Sequence, residues 1–338
     1  MPFEAFSVGS SVTEFLASGR TAERLLALLT SSAVRKGSLE KMQLGHCRAD
    51  LLRAIDRRVR GDKPVQLTLM AFPFKVPNPA KVGPRRLPDL AELAALVRLH
   101  DLHLKTQSIY PPGLEIHIIH DGSYIAAVFG VTLEEVCGYE SYFSRLVDVL
   151  GGERFIHIHD LKTLSHAAGF GNPGQQAARL RGSIRHWRCT ADKNEEWTER
   201  FSKTLGMINL RSLSIRDVSH LLDHARSGRL PPAYCDLERR VRVATLRYYL
   251  RDSLLHAIDP RPACFPDAIH VTTQCRPCRL AIWMISRGRS LLPWHGVGVI
   301  DRAGKWGVAL AREVVSNPSY RPVFLHGEDT PFCYREDA

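Results

Sequence analysis

Three apolar runs, each closed by an ionisable group, constrain this chain more than any other feature. Val65 to Phe72 (VQLTLMAF) leads into Lys75, Leu114 to His120 (LEIHIIH) into Asp121, and Phe155 to His159 (FIHIH) into Asp160. Short apolar runs bounded by turn residues read as buried strands. Between the first two, Pro88-Asp89-Leu90-Ala91-Glu92 opens a helix to about Leu104, with Asp89 placed to cap it and Glu92 three residues on. Between the second and third, Thr132 and Glu135 form a capping box. The helix that follows carries the stripe Leu133, Val136, Phe143, Leu146 and Leu150, and Gly151-Gly152 ends it. Strand, helix, strand, helix, strand predicts an α/β fold with a Rossmann-like, right-handed parallel βαβ core.

Around that core the pattern changes. Residues 1–60 read as an N-terminal helical extension, 61–175 as the α/β core and 176–260 as a mostly helical region. Residues 261–338 read as a C-terminal α/β region that completes the active site, with shorter strands at Ala268–Val271, Leu280–Ser286, Gly296–Asp301 and Val323–Leu325. In the core, Asp121-Gly122 reads as the turn that stops the second strand.

Composition excludes several classes. Hydrophobic residues make up 44% of the 338, which is globular rather than disordered. No apolar run approaches the ~20 residues that span a bilayer. The start, Met1-Pro2-Phe3-Glu4, has no secretory pattern, so a soluble cytoplasmic protein is expected, off the membrane. Its eight cysteines are then expected to be reduced. The single Cys275-x-x-Cys278 has no second pair, which argues against structural zinc. A formal charge of +11 attracts anions. The basic residues are mixed with acids and form no tail, which favours a basic cleft over a nucleic-acid-binding arm. No Walker motif, no GxGxxG after a strand and no GxSxG is present.

In an open parallel sheet, ligands bind beyond the carboxyl ends of the strands. Lys75, His120-Asp121 and His159-Asp160 are therefore expected at one rim, where a cation, two carboxylates and two imidazoles would bind an anion and move protons. Phe72, Pro73, Phe74 and Pro77 give Lys75 a rigid, partly apolar setting, suited to Schiff-base chemistry or phosphate binding. Asp121 divides evenly between a turn role and a catalytic one. For Asp160 the catalytic reading leads the capping one. His157 and His159 face the same way and, with Asp160, offer part of a metal site without an obvious third ligand. A metal-dependent oxygenase or hydrolase is thus an alternative reading. Arg181, Arg185 and Arg188 share a helix face beside Trp187, as a solvated basic face or as a carboxylate or phosphate clamp.

Seven blocks then carry a resemblance. AFPFKVPNPAKV (Ala71–Val82), PDLAEL (Pro88–Leu93), IYPPG (Ile109–Gly113), IIHDG (Ile118–Gly122), GMINLR (Gly206–Arg211), DAIHVTTQ (Asp267–Gln274) and LLPWHGVGV (Leu291–Val299) resemble, in the same order, the isonitrile (isocyanide) synthases of the pyoverdine/dityrosine biosynthesis family. The resemblance implies a transferase-like reaction of secondary metabolism. The α-amine of tyrosine or tryptophan reacts with ribulose 5-phosphate, whose C2 becomes the isonitrile carbon. It implies no nicotinamide, flavin or metal cofactor. A functional partner is implied, an iron/2-oxoglutarate-dependent oxygenase that takes the product. With this chemistry, Lys75 is expected to polarise the ketone or hold a transient imine. Lys81, Arg85 or Arg86, with Asn78, would serve the phosphate. Asp121, His159 and Asp160 would carry protons, with His295 and His270 as further acid/base candidates. Arg279 would bind the amino-acid carboxylate.

Overall fold

The computed structural model describes residues 8–170, 195–257, 259–285 and 291–337. β1 (Val65–Met70), β2 (Leu114–His120), β3 (Ile156–Asp160) and β4 (Ile269–Val271) form a parallel sheet in the order β3-β2-β1-β4. Before the sheet, α1 (Val8–Thr30), α2 (Leu39–Met42) and α3 (Leu44–Arg60) make a helical layer that contributes Leu25, Leu26, Leu29 and Ile55 to the core. The expected βαβ core is therefore present, and the C-terminal region adds β4 to its edge.

Both capping boxes read from the sequence close. After the short α4 (Pro79–Val82), α5 (Leu90–Gln107) starts at Asp89, whose side chain accepts from Ala91 N while Glu92 accepts from Asp89 N. α7 (Leu133–Val149) starts at Thr132, paired in the same way with Glu135. Between β2 and α7 the sequence predicts only a turn at Asp121-Gly122. Instead α6 (Gly122–Phe129) begins there. A Cβ at Gly122 would sit 2.4 Å from the Pro73 carbonyl oxygen, so glycine lets this helix start lie against the loop that follows β1. β1 also ends two residues early, because Phe72 has φ 57°. That left-handed turn is costly for a bulky residue. Here it drives the ring onto Phe143 and Trp294, at centroid distances of 4.4 and 5.0 Å.

Beyond β3 lie α8 (Leu161–Ala167), α9 (Glu195–Leu205), α10 (Ile215–His224) and α11 (Cys235–Ala257). The C-terminal residues build a second sheet of order β6-β5-β8-β7 from β5 (Val297–Ile300), β6 (Trp306–Ala309), β7 (Tyr320–Val323) and β8 (Cys333–Glu336). β5 matches the expected Gly296–Asp301 strand. β7 lies just before the expected Val323–Leu325, and β6 and β8 have no counterpart in the sequence reading. The strand expected at Leu280–Ser286 reduces, among the described residues, to single bridges at Ala281 and Ile282. This segment passes between β4 and the helical layer and pairs only in isolated steps. Among the described residues, no helix is long and apolar enough to cross a membrane.

The two sheets are joined through a buried ionic centre. The Lys75 ammonium, fully buried, lies 3.0 Å from Asp89 Oδ2 and 2.8 Å from Glu92 Oε2. It also donates to the carbonyls of Pro293 and Gly296, at 3.0 and 2.8 Å. Asp89 Oδ2 accepts from Gly298 N in β5, and Glu92 Oε1 accepts from the Tyr139 hydroxyl in α7. Burial, reinforced by Asp89, pushes the Glu92 carboxyl up to about 7 against the opposing pull of Lys75. Removing one partner of a buried ion pair strands the others without solvent. We predict that Lys75→Met loses about 3–5 kcal/mol of stability, measured by urea denaturation. Wild-type stability in that variant would show that the centre does not hold the two sheets together.

Candidate active site

The carboxyl ends of β1 and β4 open into a cavity of about 740 Å³. Met70 and Ala71 come from β1 and its exit, Val271 and Thr272 from β4 and its exit, and Asp121 from the end of β2. One wall is apolar and aromatic, with Phe74, Phe129, Tyr248 and Trp294. Phe129 stacks obliquely on Phe74 and on Tyr248, at 6.4 and 5.1 Å between centroids. The other wall carries Lys36, Asp259, Arg261, Thr272, Thr273, Gln274, Arg276 and Arg279. A smaller hollow of about 310 Å³, against Pro231, Cys235 and Arg242, lies away from the strand ends.

Lys81 and His295 stand in this cavity. The segment Asn78-Pro79-Ala80-Lys81 folds as a helical turn because Asn78 caps it through Ala80 N at 3.1 Å and Pro79 presets its first residue. That turn brings the Lys81 ammonium against Gly206, where a Cβ would stand 2.7 Å from Nζ. Burial, reinforced by the Arg312 guanidinium, pushes the Lys81 ammonium down to about 8. His295 follows Trp294 in the turn before β5. Burial and the ammonium groups of Lys81 and Lys75 hold its imidazole neutral, well below the ordinary histidine range. The cavity thus pairs a lysine near its titration point with a neutral histidine beside an aromatic wall. Such a pair can give a proton to a carbonyl oxygen and take one from an amine.

Other expected residues stand elsewhere. Lys75 is enclosed by the ionic centre and does not reach the cavity, so its expected contact with a ketone or phosphate is not made. Asp160 caps α8 through Thr163 N at 3.0 Å and accepts from the Ser123 hydroxyl. It is a structural cap, and the alternation of a strand turns it away from His157 and His159. His159 Nε2 meets His117 Nδ1 at 3.0 Å, and the Phe265 ring packs over both imidazoles. His157 Nε2 faces Glu115 at 3.2 Å. Among the described residues, no three His, Cys, Asp or Glu side chains are placed to hold a metal ion. His270 bonds the Thr68 hydroxyl at 2.7 Å behind the cavity wall, and burial with the nearby Arg261 lowers it to about 4. Arg85 is buried on Glu328, Thr330 and the Pro88 carbonyl, and exposed Arg86 pairs with Glu135. Neither faces the cavity. Asn78 acts through the turn it caps. Arg181 and Arg185 lie outside the described residues. Asp121, Lys81, His295 and Arg279 are the expected residues that meet here.

Several cavity residues left no local mark in the sequence. Asp259 binds Arg261 through Nε at 2.8 Å and Nη2 at 2.6 Å, and lies 3.6 Å from Arg279. Lys36 arrives from the helical layer and donates to the Thr273 carbonyl at 3.1 Å. Tyr248 and Tyr249 come from α11. Thr272, Thr273 and Gln274 were within reach of the strand-end rule, since they follow β4.

The chain is similar to known proteins over much of its length. The family model for pyoverdine/dityrosine biosynthesis proteins matches residues 55–210. An L-tyrosine isonitrile synthase of Xenorhabdus nematophila is 36% identical over 248 residues, 71% of this chain and 69% of that one. The isocyanide synthase xanB of Aspergillus fumigatus is 32% identical over 83% of this chain, a match that spans 38% of its own length. An L-tryptophan isonitrile synthase of Fischerella ambigua is 34% identical over 32% of this chain and 33% of its own length. The crystal structure of the PvcA protein of Pseudomonas aeruginosa superposes with a TM-score of 0.65 at 22% identity, covering 94% of this chain and all of that one. It shares the fold. The identity to the Xenorhabdus nematophila enzyme over 69% of its length, with the family match over residues 55–210, shows that the chain belongs to the isonitrile synthase family of pyoverdine/dityrosine biosynthesis proteins.

Proposed function

We propose that this protein is an isonitrile synthase that converts the α-amine of an aromatic L-amino acid, tyrosine or tryptophan, into an isonitrile with ribulose 5-phosphate as carbon donor. The observation that carries this reading is that Phe74, Phe129, Tyr248 and Trp294 line one cavity together with Lys81 and His295. An aromatic side chain would lie against Phe74, Phe129, Tyr248 and Trp294, with its α-amine toward the polar pair. The amine attacks the C2 ketone and water leaves. The two C–C bonds flanking C2 then break, C1 departing as formaldehyde and C3 to C5 as a three-carbon phosphate at the oxidation level of glycerol phosphate. No external oxidant or reductant is therefore needed. Lys81 gives a proton to the ketone oxygen as it becomes a hydroxyl and then water. His295, neutral at working pH, takes the proton that the amine sheds. Asp121, at the end of β2, lines the same cavity and is assigned the later bond-breaking proton transfers. The isonitrile product would pass to an iron/2-oxoglutarate-dependent oxygenase.

Two outcomes are expected. Incubation with each aromatic amino acid and C2-labelled ribulose 5-phosphate yields an isonitrile carrying the label, detected by mass spectrometry and by its infrared band. No isonitrile from any aromatic amino acid would overturn the reading. For Lys81 the sign follows from its role. A proton donor must be protonated, so kcat/KM declines as pH rises through about 8, with the substrate ammonium shaping the acid limb. Lys81→Met lowers kcat/KM by roughly 100-fold or more. Lys81→Arg stays charged throughout and loses the alkaline decline. An alkaline limb kept in Lys81→Arg would assign the proton to another group.

A further inference from the structure

The cationic wall of the cavity has no part in the proton transfers above. The loop after β4 runs Thr272-Thr273-Gln274-Cys275-Arg276 along that wall, with Arg279 and Lys36 beside it. Its shape is held from behind. The Thr272 hydroxyl donates to the Gln274 carbonyl, and the Lys36 ammonium donates to the Thr273 carbonyl at 3.1 Å. The backbone N–H groups of Thr273, Gln274 and Cys275 have no acceptor among the described residues. Two carbonyls are thereby occupied while the consecutive amide donors are left to meet an acceptor that enters the cavity.

The charge balance points the same way. Asp259 is the carboxylate on this wall among the described lining residues, and Arg261 takes both of its oxygens. Arg279 approaches the same carboxylate at 3.6 Å, so two guanidiniums share one negative charge. The Lys36 ammonium meets a neutral carbonyl. Burial and the adjoining Arg261 and Arg276 guanidiniums hold Arg279 below its ordinary range, against the opposing pull of Asp259. Of the cations expected from the sequence to hold phosphate, Arg85 and Arg86 are committed to Glu328 and Glu135, and Lys81 is the proton donor proposed above.

We infer that the Thr272–Arg276 loop, Arg279 and Lys36 form the subsite for a phosphate monoester dianion, the phosphate end of the sugar substrate. This rests on the reading of the cavity as a synthase site and adds where the phosphate sits. It also moves Arg279 from the expected amino-acid carboxylate to the phosphate. The sugar then spans the cavity, its phosphate on the β4 loop and its ketone toward Lys81.

The test uses the full chain, with Arg279→Ala and Lys36→Ala each checked for folding by circular dichroism. The KM for ribulose 5-phosphate is expected to rise roughly 10- to 100-fold in each, while the KM for the amino acid holds. Inorganic phosphate is expected to inhibit wild type competitively against the sugar phosphate and to lose that effect in both variants. Unphosphorylated ribulose, lacking the dianion, should show no difference between wild type and variants. Folded variants with a wild-type KM for ribulose 5-phosphate, or with unchanged phosphate inhibition, would overturn the subsite. A wild-type protein that makes no isonitrile defeats the synthase reading instead. Calorimetry with inorganic phosphate then decides the cradle by itself. Binding that Arg279→Ala abolishes supports it, and no binding to wild type overturns it.

Discussion

The buried contact of Lys75 with Asp89 and Glu92 is the interaction on which the architecture turns. Burying three ionisable groups is expensive, and it persists only because nearly every lone pair and proton is met. Lys75 leaves the loop after β1, Asp89 and Glu92 open α5, and the accepted carbonyls of Pro293 and Gly296 precede β5. One ammonium thus ties the central sheet, its first crossover helix and the second sheet to a common point. The helix cap itself is part of the tie, since Asp89 serves Ala91 N with one oxygen and Gly298 N and Lys75 with the other.

The cavity inherits its shape from this centre. Lys75 and Lys81 lie six residues apart, on either side of the Asn78 cap, and meet opposite fates. Lys75 points inward to two carboxylates. Lys81 sits on the next turn, facing Gly206, Arg312 and the cavity, where burial and the Arg312 guanidinium weaken its hold on a proton. Trp294 closes the aromatic wall and His295 stands beside Lys81, because the turn that carries both is pinned through Pro293 and Gly296 to Lys75. The most buried cation therefore positions the reactive pair without joining it. The opposite wall follows a different logic. There, guanidiniums and a peptide loop outnumber a single carboxylate, which suits a dianion rather than a proton transfer.

Much of the local structure follows from the sequence alone. The apolar runs at Val65 and Leu114 are buried strands and the run at Phe155 is the half-buried edge strand β3, because their backbones need ladder partners once side chains leave water. The Asp89/Glu92 and Thr132/Glu135 boxes each satisfy their own helix start, so they need no tertiary partner to be legible. Family membership was legible too, in blocks such as Ala71–Val82 and Asp267–Gln274. Within the site, Asp121, Lys81, His295 and Arg279 were named from the sequence, and the fold brings all of them to one cavity.

The tertiary structure decided what each charge faces. A lysine between two prolines looks the same in sequence whether it meets a substrate or two buried carboxylates, and only the approach of α5 and β5 separates the cases for Lys75. Asp160 became a cap and His159 a neighbour of His117, because strand alternation and sheet pairing set their faces. β6 and β8 are four-residue strands, too short to show a pattern of their own; β6 forms a hairpin with β5, and β8 is held between β7 and the more distant β5. Lys36, Asp259 and Arg261 reach the cavity from segments with no local signature. Sequence periodicity determines which residues are buried and in what element. Which charged group finds a partner, and so which one is left for chemistry, depends on distances across the fold that no local pattern encodes.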